Sequence, residues 1–247
     1  MSYVSIVKIK TNWALFLDLD GTLIDIAPTP DEVVVPKELP ALLEAVRELL
    51  GGALAIVTGR AQETADRLLK PFVASGGFSH GAQLRGVVGN ACFADAMPGL
   101  PKEWAERLER EVERYQGLLL EHKPHGLALH YRKAPQHEAV ARAMLERLLH
   151  DQQHSFALLR AHMALEIRPR AATKSRAVEA LMSAKPFDGR FPVFVGDDVT
   201  DEEGMEAARR HGGMGLHVGR DFIGGPAEVR AWLARGLAHL QRDAAHD

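Results

Sequence analysis

WALFLDLDGTL, residues 13–23, opens on five apolar side chains and then breaks into two carboxylates, a glycine and a threonine. An unbroken apolar run this short reads as a strand buried on both faces, the kind found in parallel sheets covered by helices on either side. Two other stretches have the same form, ALAIVTGR (53–60) and FPVFVGDD (191–198). Helical patterns such as PKELPALLEAVRELL (36–50) and AQETADRLL (61–69) lie between such runs, so the chain is expected to be an α/β protein built from βα repeats around a parallel sheet. In open sheets of this class ligands gather beyond the carboxyl ends of the strands. All three polar clusters would lie there and converge on one crevice.

Between the second and third runs the pattern changes. Helix-like PKEWAERLEREVERYQ (101–116) is followed by the strand pair in LLLEHKPHGLALHYR (118–132), helix-like HEAVARAMLERLLH (137–150) and SFALLRAHMALEIRP (155–169). Helices alternating with hairpins predict a smaller α+β unit with an antiparallel sheet. The expected organisation is therefore a core from residues 1–98 and 169–247 with an inserted cap at 99–168, and the tail after Leu240 is expected to fray.

At 247 residues, the chain suits a single large domain or a domain carrying such an insertion. Its 46% apolar and 26% charged residues are ordinary for a soluble globular protein. The formal net charge of -3 is spread along the chain, so neither a nucleic acid nor a membrane is expected as partner. No stretch reaches the roughly 18 apolar residues of a membrane span, and no export signal opens the chain, so a cytoplasmic location is expected. The single cysteine, Cys92, excludes an internal disulfide or a multi-thiolate site and is expected to be a small buried hydrophobe. The histidines, including the spaced pair His150 and His154, are read as surface or core groups, and no zinc site is expected.

Asp18 and Asp20 stand at i and i+2, so a strand would turn both carboxylates to one side. Like charges that close resist joint ionisation unless a hard cation with oxygen ligands compensates. In GDDVTDE (196–202), Asp201 and Glu202 suit the positive end of a helix, and Thr200 with Glu203 matches a capping box. Asp197 and Asp198 directly follow a buried strand, where unpaired carboxylates are costly, so a metal or cationic partner is expected for them. Lys174, in RPRAATKSRAVEALM (168–182), falls in a first helical turn, where a cation opposes the helix dipole; a phosphoryl group or Asp201 would compensate it. Thr58 closes the second run at the start of the next helix, as a phosphate ligand or as an N-cap.

Taken together, an Asp pair, a Thr, a Lys and a second Asp pair in that order resemble the haloacid dehalogenase superfamily of phosphotransferases. Further stretches are similar to the trehalose-6-phosphate phosphatases: DLDGTLIDIAPTPDEVVVP, VTGR, SHGAQLR, LLLEHKPHGLALHYRKAPQHE, EIRPRAATK, PVFVGDDVTDEEGM and GGMGLHVG. Departures from the family pattern are Ser175 and Arg176 after Lys174, Ser79 before His80, and Met205 for an aromatic residue. The resemblance implies a haloacid-dehalogenase-like Rossmannoid core with a C2-type cap, and hydrolysis of trehalose 6-phosphate through an aspartyl-phosphate. Asp18 would be the nucleophile, Asp20 the acid and then the base. Mg2+ would be held by Asp18, the Asp20 backbone carbonyl and Asp197, with Asp198 and Asp201 in support, while Thr58 and Lys174 would grip the phosphoryl oxygens. Gly59, Arg60, His80 and Arg85 would contribute to substrate binding, and Glu121, Lys123 and Glu166 would hold the sugar. A trehalose-phosphate synthase would be the functional neighbour. The rival readings are a phosphatase for sucrose 6-phosphate or a mannosyl phosphate, and a catalytically silent sugar-phosphate-binding regulator.

Overall fold

β1 (Trp13–Leu17) is buried along its whole length and alternates its side chains between two hydrophobic cores. Leu15 and Leu17 enter one core while Ala14 and Phe16 enter the other, as the period of two along a strand requires. β2 (Leu54–Val57) and β9 (Phe191–Gly196) flank β1 in parallel and repeat the alternation. The three apolar runs are therefore the three central strands, which is why their polar ends meet. The sheet order is β10-β9-β1-β2-β3-β4, completed by β3 (Ser75–Phe78), β4 (Gln83–Arg85) and β10 (Met214–His217). Only β4 runs antiparallel among these pairings, an edge that nothing in the apolar pattern announced.

Helices cover both faces. α1 (Leu39–Leu49), α2 (Gln62–Leu69) and α7 (Pro226–Ala244) supply Leu43, Leu69 and Trp232 to one core. α5 (Lys174–Met182) and α6 (Val199–Arg210) supply Val178, Leu181 and Met205 to the other. Met205, one of the departures from the family pattern, is fully buried beside Gly204, where an added Cβ would meet Phe194 at 2.3 Å. The expected fraying after Leu240 is corrected: α7 continues to Ala244. The structure, a computed structural model, describes residues 7–29, 32–87, 97–161 and 163–244. Cys92, expected to be buried, lies outside the described residues.

The chain divides into two compact units, Met1–Ala94 with Thr173–Asp247, and Asp95–Ala172. The second holds an antiparallel sheet of order β5-β6-β8-β7, from β5 (Leu119–Lys123), β6 (Gly126–His130), β7 (Phe156–Ala161) and β8 (Ala164–Pro169). Leu127, Leu129, Leu165 and Ile167 share a core with Trp104 and Leu108 of α3 (Lys102–Val112) and Leu145 of α4 (Glu138–Leu149). The alternate positions Glu121, Lys123, Ala128, His130 and Glu166 therefore belong to the opposite sheet face.

Candidate active site

Asp18 follows β1 directly, and its N–H donates to Val195 O at 3.0 Å, which holds the ends of β1 and β9 level. The chain then turns through Gly21 at φ +78, where a Cβ would stand 2.1 Å from Asp197 Oδ2. Glycine is needed there on both counts, the left-handed backbone and the close approach. Thr22 completes the contact by donating its hydroxyl to Asp197 Oδ1 at 3.0 Å.

Asp198 is the N-cap of α6, its carboxylate accepting from Val199 N–H at 2.7 Å, and it forms a capping box with Asp201. This corrects the expectation that Thr200 and Glu203 would form the box. The cap lies two residues earlier, so Asp198 is engaged in starting the helix. Asp201 is fully buried: one oxygen accepts from the N–H groups of Asp197 (3.1 Å) and Asp198 (3.0 Å), the other from Lys174 Nζ at 2.5 Å. Lys174 is the first residue of α5, capped by Thr173, and is only 3% exposed. Its Nζ also donates to Asp18 Oδ1 at 2.7 Å, so Asp18 and Asp201 together offset both its burial and its unfavourable place on the helix dipole.

One ammonium thus faces three carboxylates, those of Asp18, Asp197 and Asp201, whose oxygens lie within 4.8 Å of one another. Burial alone would lower the Lys174 pKa, but Asp18 and Asp201 raise it, so it stays charged. Burial first, and then Asp201, raises the Asp18 pKa well above the carboxylate range despite Lys174. Burial, followed by Asp201, pushes Asp197 up to about 6. The excess of negative charge is what a hard divalent ion would neutralise, and an all-oxygen donor set suits magnesium. Asp201 is already committed on both oxygens, so Asp18 and Asp197 are the carboxylates fitted to hold the ion.

Asp20 is directed elsewhere. Arg60 grips its carboxylate with both arms, Nε to Oδ2 at 2.6 Å and Nη2 to Oδ1 at 2.7 Å, the two-pronged geometry of an arginine on a carboxylate. Thr58 is 1% exposed but is not a helix cap: α2 starts at Gln62 behind Ala61, and Thr58 Oγ1 accepts from Arg60 N–H at 3.2 Å. Four residues separate the strand end from the helix, so the hydroxyl serves the loop. Thr58 O accepts from His80 N–H at 3.0 Å and Arg60 O from Ser79 N–H at 2.8 Å, zipping the two loops together. Ser79, His80 and Gly81 all have positive φ (48°, 57° and 93°), and a Cβ on Gly59 would come within 2.6 Å of the His80 ring. Arg176, one of the departures from the family pattern, steadies this turn by donating to Gly81 O at 2.6 Å. Arg85 is not brought to the carboxylates. Its guanidinium is spent on Asp66 (2.8 and 2.7 Å) and Ala74 O (2.6 Å) at the sheet edge, an ion pair that became possible only when β4 folded back on β3.

In the second unit, Lys123 pairs with Glu166, and Glu121 pairs with His130 Nε2 at 2.8 Å. Lys123 reaches over β6 because its direct partner there is Gly126. Sequence pattern alone assigns no role to Thr22 or His130. Both stood in quoted motifs, and His130 could have been found by its period of two with Ala128 on the polar side of β6.

Residues 16–226 match the trehalose-phosphatase family model. The chain is 35% identical over 241 residues to the trehalose-6-phosphate phosphatase of Escherichia coli strain K12, covering 95% of this chain and 90% of that one. It is 41% identical over 210 residues to a probable trehalose-phosphate phosphatase of Sinorhizobium fredii, covering 84% and 78%. A crystal structure of a trehalose-6-phosphate phosphatase related protein shares its fold, with a TM-score of 0.71 at 23% identity over 92% of this chain and 99% of that one.

Proposed function

The chain belongs to the trehalose-phosphatase family, and from that premise we propose that it hydrolyses trehalose 6-phosphate to trehalose and phosphate, as a step of trehalose biosynthesis, with Asp18 as covalent nucleophile. The observation that carries this is the buried array in which Lys174 holds Asp18 beside Asp197 at the end of the central strand.

Asp18 attacks phosphorus through the carboxylate oxygen that Lys174 does not hold, and the P–O bond to the sugar breaks. The departing sugar oxygen takes its proton from Asp20. In the second half Asp20 removes a proton from water as that water attacks the aspartyl-phosphate, which returns Asp18 and frees phosphate. Both Asp20 oxygens accept from Arg60, so Asp20 must turn out of this fork to reach the departing oxygen. Thr58 and Lys174 steady the phosphoryl oxygens. Asp18 and Asp197, with the Asp20 backbone carbonyl, would hold magnesium, which would supply positive charge to the phosphoryl group and offset the two carboxylates. Glu121, Lys123 and Glu166, the charged face of the second unit, form the sugar-recognising set, and Gly59, Arg60 and His80 contribute to phosphate-side binding. A synthase forming trehalose 6-phosphate is the reaction that must supply the substrate. No helix among the described residues is long and apolar enough to cross a membrane.

Phosphate release from trehalose 6-phosphate, sucrose 6-phosphate, a mannosyl phosphate and an aryl phosphate tests the assignment. Trehalose 6-phosphate should lead the panel by at least about tenfold in kcat/KM, and exhaustive chelation should abolish release until magnesium is returned. Equal rates across the panel, or binding without release by the loaded protein, would overturn it in favour of a general phosphatase or a regulator. Lys123→Ala and Glu166→Ala should each lose at least about tenfold on trehalose 6-phosphate and little on the aryl phosphate.

A further inference from the structure

We infer that His130 is a positioning residue for Glu121, and that the charged face of the second unit is built from two separately tied carboxylates, Glu166 by Lys123 and Glu121 by His130. The inference rests on the reading of that face as sugar-recognising.

Sheet register creates the need. Across the three strands the direct partners are Glu121, Ala128 and Glu166, and at the next position Lys123 faces Gly126. Two carboxylates thus flank one small residue, with a single lysine available. Lys123 takes Glu166 across Gly126, where a Cβ would stand 2.6 Å from Ile167 O of the neighbouring strand, so the position between the two side chains is kept as glycine by the backbone. Glu121 is left without the lysine as a hydrogen-bond partner. Ala128 opposite it is too short to reach, and the next residue on the same face of β6 is His130. Its Nε2 lies 2.8 Å from Glu121 Oε2. His130 itself pairs directly with Leu119 on one side and Ala164 on the other, neither of which offers a side-chain polar atom. The imidazole therefore has Glu121 as its hydrogen-bond partner on this face among the described residues.

A glutamate has three side-chain torsions, and fixing them on binding costs rotamer entropy. A histidine that holds one oxygen in advance leaves the other oriented for a sugar hydroxyl and removes much of that cost. Glu121 and Glu166 are thus tied by different side chains, and in this reading the two acids accept from different hydroxyls. His130 acts through Glu121, the acid it holds.

The test is a double-mutant cycle on the full chain, reading kcat and KM with trehalose 6-phosphate and with an aryl phosphate. Glu121→Ala comes first. If it is not selectively impaired on the sugar phosphate, the reading of the face fails, whatever His130 does. Given that selective loss, His130→Ala is expected to raise KM for trehalose 6-phosphate about three- to tenfold, leave the aryl phosphate rate within about twofold, and add little to Glu121→Ala. His130→Gln, whose amide can donate from nearly the position of Nε2, is expected to recover most of the loss. Equal losses of His130→Ala on both substrates, full additivity with Glu121→Ala, or no recovery in His130→Gln would each overturn the positioning role.

Discussion

Replacing Lys174 with Met keeps the unbranched stem while deleting the charge, and so isolates what the ammonium does. Its Nζ stands 2.7 Å from Asp18 and 2.5 Å from Asp201, at 3% exposure. Removing one partner from a buried ion pair strands the other charge at a cost of about 3–5 kcal/mol. In a chain of this size each kcal/mol lowers Tm by about 2–4 °C, giving a fall of roughly 6–20 °C at pH 7. The pH dependence carries the sign. The Lys174 pKa is raised in the fold, so its own stabilisation is fully present at neutral and acid pH and is lost only as pH rises through the folded value. Asp18, left behind, has the opposite dependence: burial and then the neighbouring Asp201 raise its pKa, so it is relieved by a proton. The gap between Lys174→Met and the parent should therefore narrow as pH falls from 7 to 5, and adding Asp201→Asn should recover part of the loss. Calorimetry in chelator, with phosphate release measured alongside, checks both. A Tm within about 2 °C of the parent, or a gap that does not change with pH, would refute the claim that Lys174 neutralises the buried pair.

Asp18→Asn should fold and melt at or above the parent temperature, because Lys174 keeps Asp201 as its counter-ion while a buried acid with a raised pKa is removed, yet release no phosphate; turnover at near-normal rate by a verified sample would sink the covalent mechanism. The Asp197 pKa lies at about 6, and an ion needs the carboxylate form, so magnesium affinity measured by calorimetry should weaken as pH drops through 6; a flat profile from pH 5 to 8 would contradict its role as a ligand. The same raised value means that the metal-free fold gains from protonated Asp197 at acid pH and loses that gain as pH rises from about 4 to 6. Gly21→Ala should weaken magnesium binding by at least about tenfold, about 1.4 kcal/mol, since its Cβ would overlap Asp197 and its φ is +78; unchanged affinity in a folded sample would show that the turn can adjust.

Local pattern was enough for the three central strands and for the residues that cluster at their ends. WALFL, LAIV and FPVFVG are apolar because both faces of each strand are covered, and that requirement is written residue by residue. Asp18, Asp197 and Lys174 were legible for the same reason: a charge next to a buried strand, or at the positive end of a helix, needs a partner wherever the chain goes. The helices and hairpins of the second unit could likewise be read from their own periodicities. What the sequence left open was which charge meets which. Arg60 and Asp20 stand 40 residues apart, Lys174 and Asp18 156 apart, Arg85 and Asp66 19 apart, and no local spacing encodes those pairs. Tertiary structure decided them, through sheet order and register. The antiparallel return of β4 carried Arg85 to Asp66, the α6 cap engaged the Asp198 carboxylate, and Gly126 on β6 lies where Lys123 crosses to Glu166. A hydrogen bond acts over about 3 Å, so it is fixed only once packing has set the distances between strands.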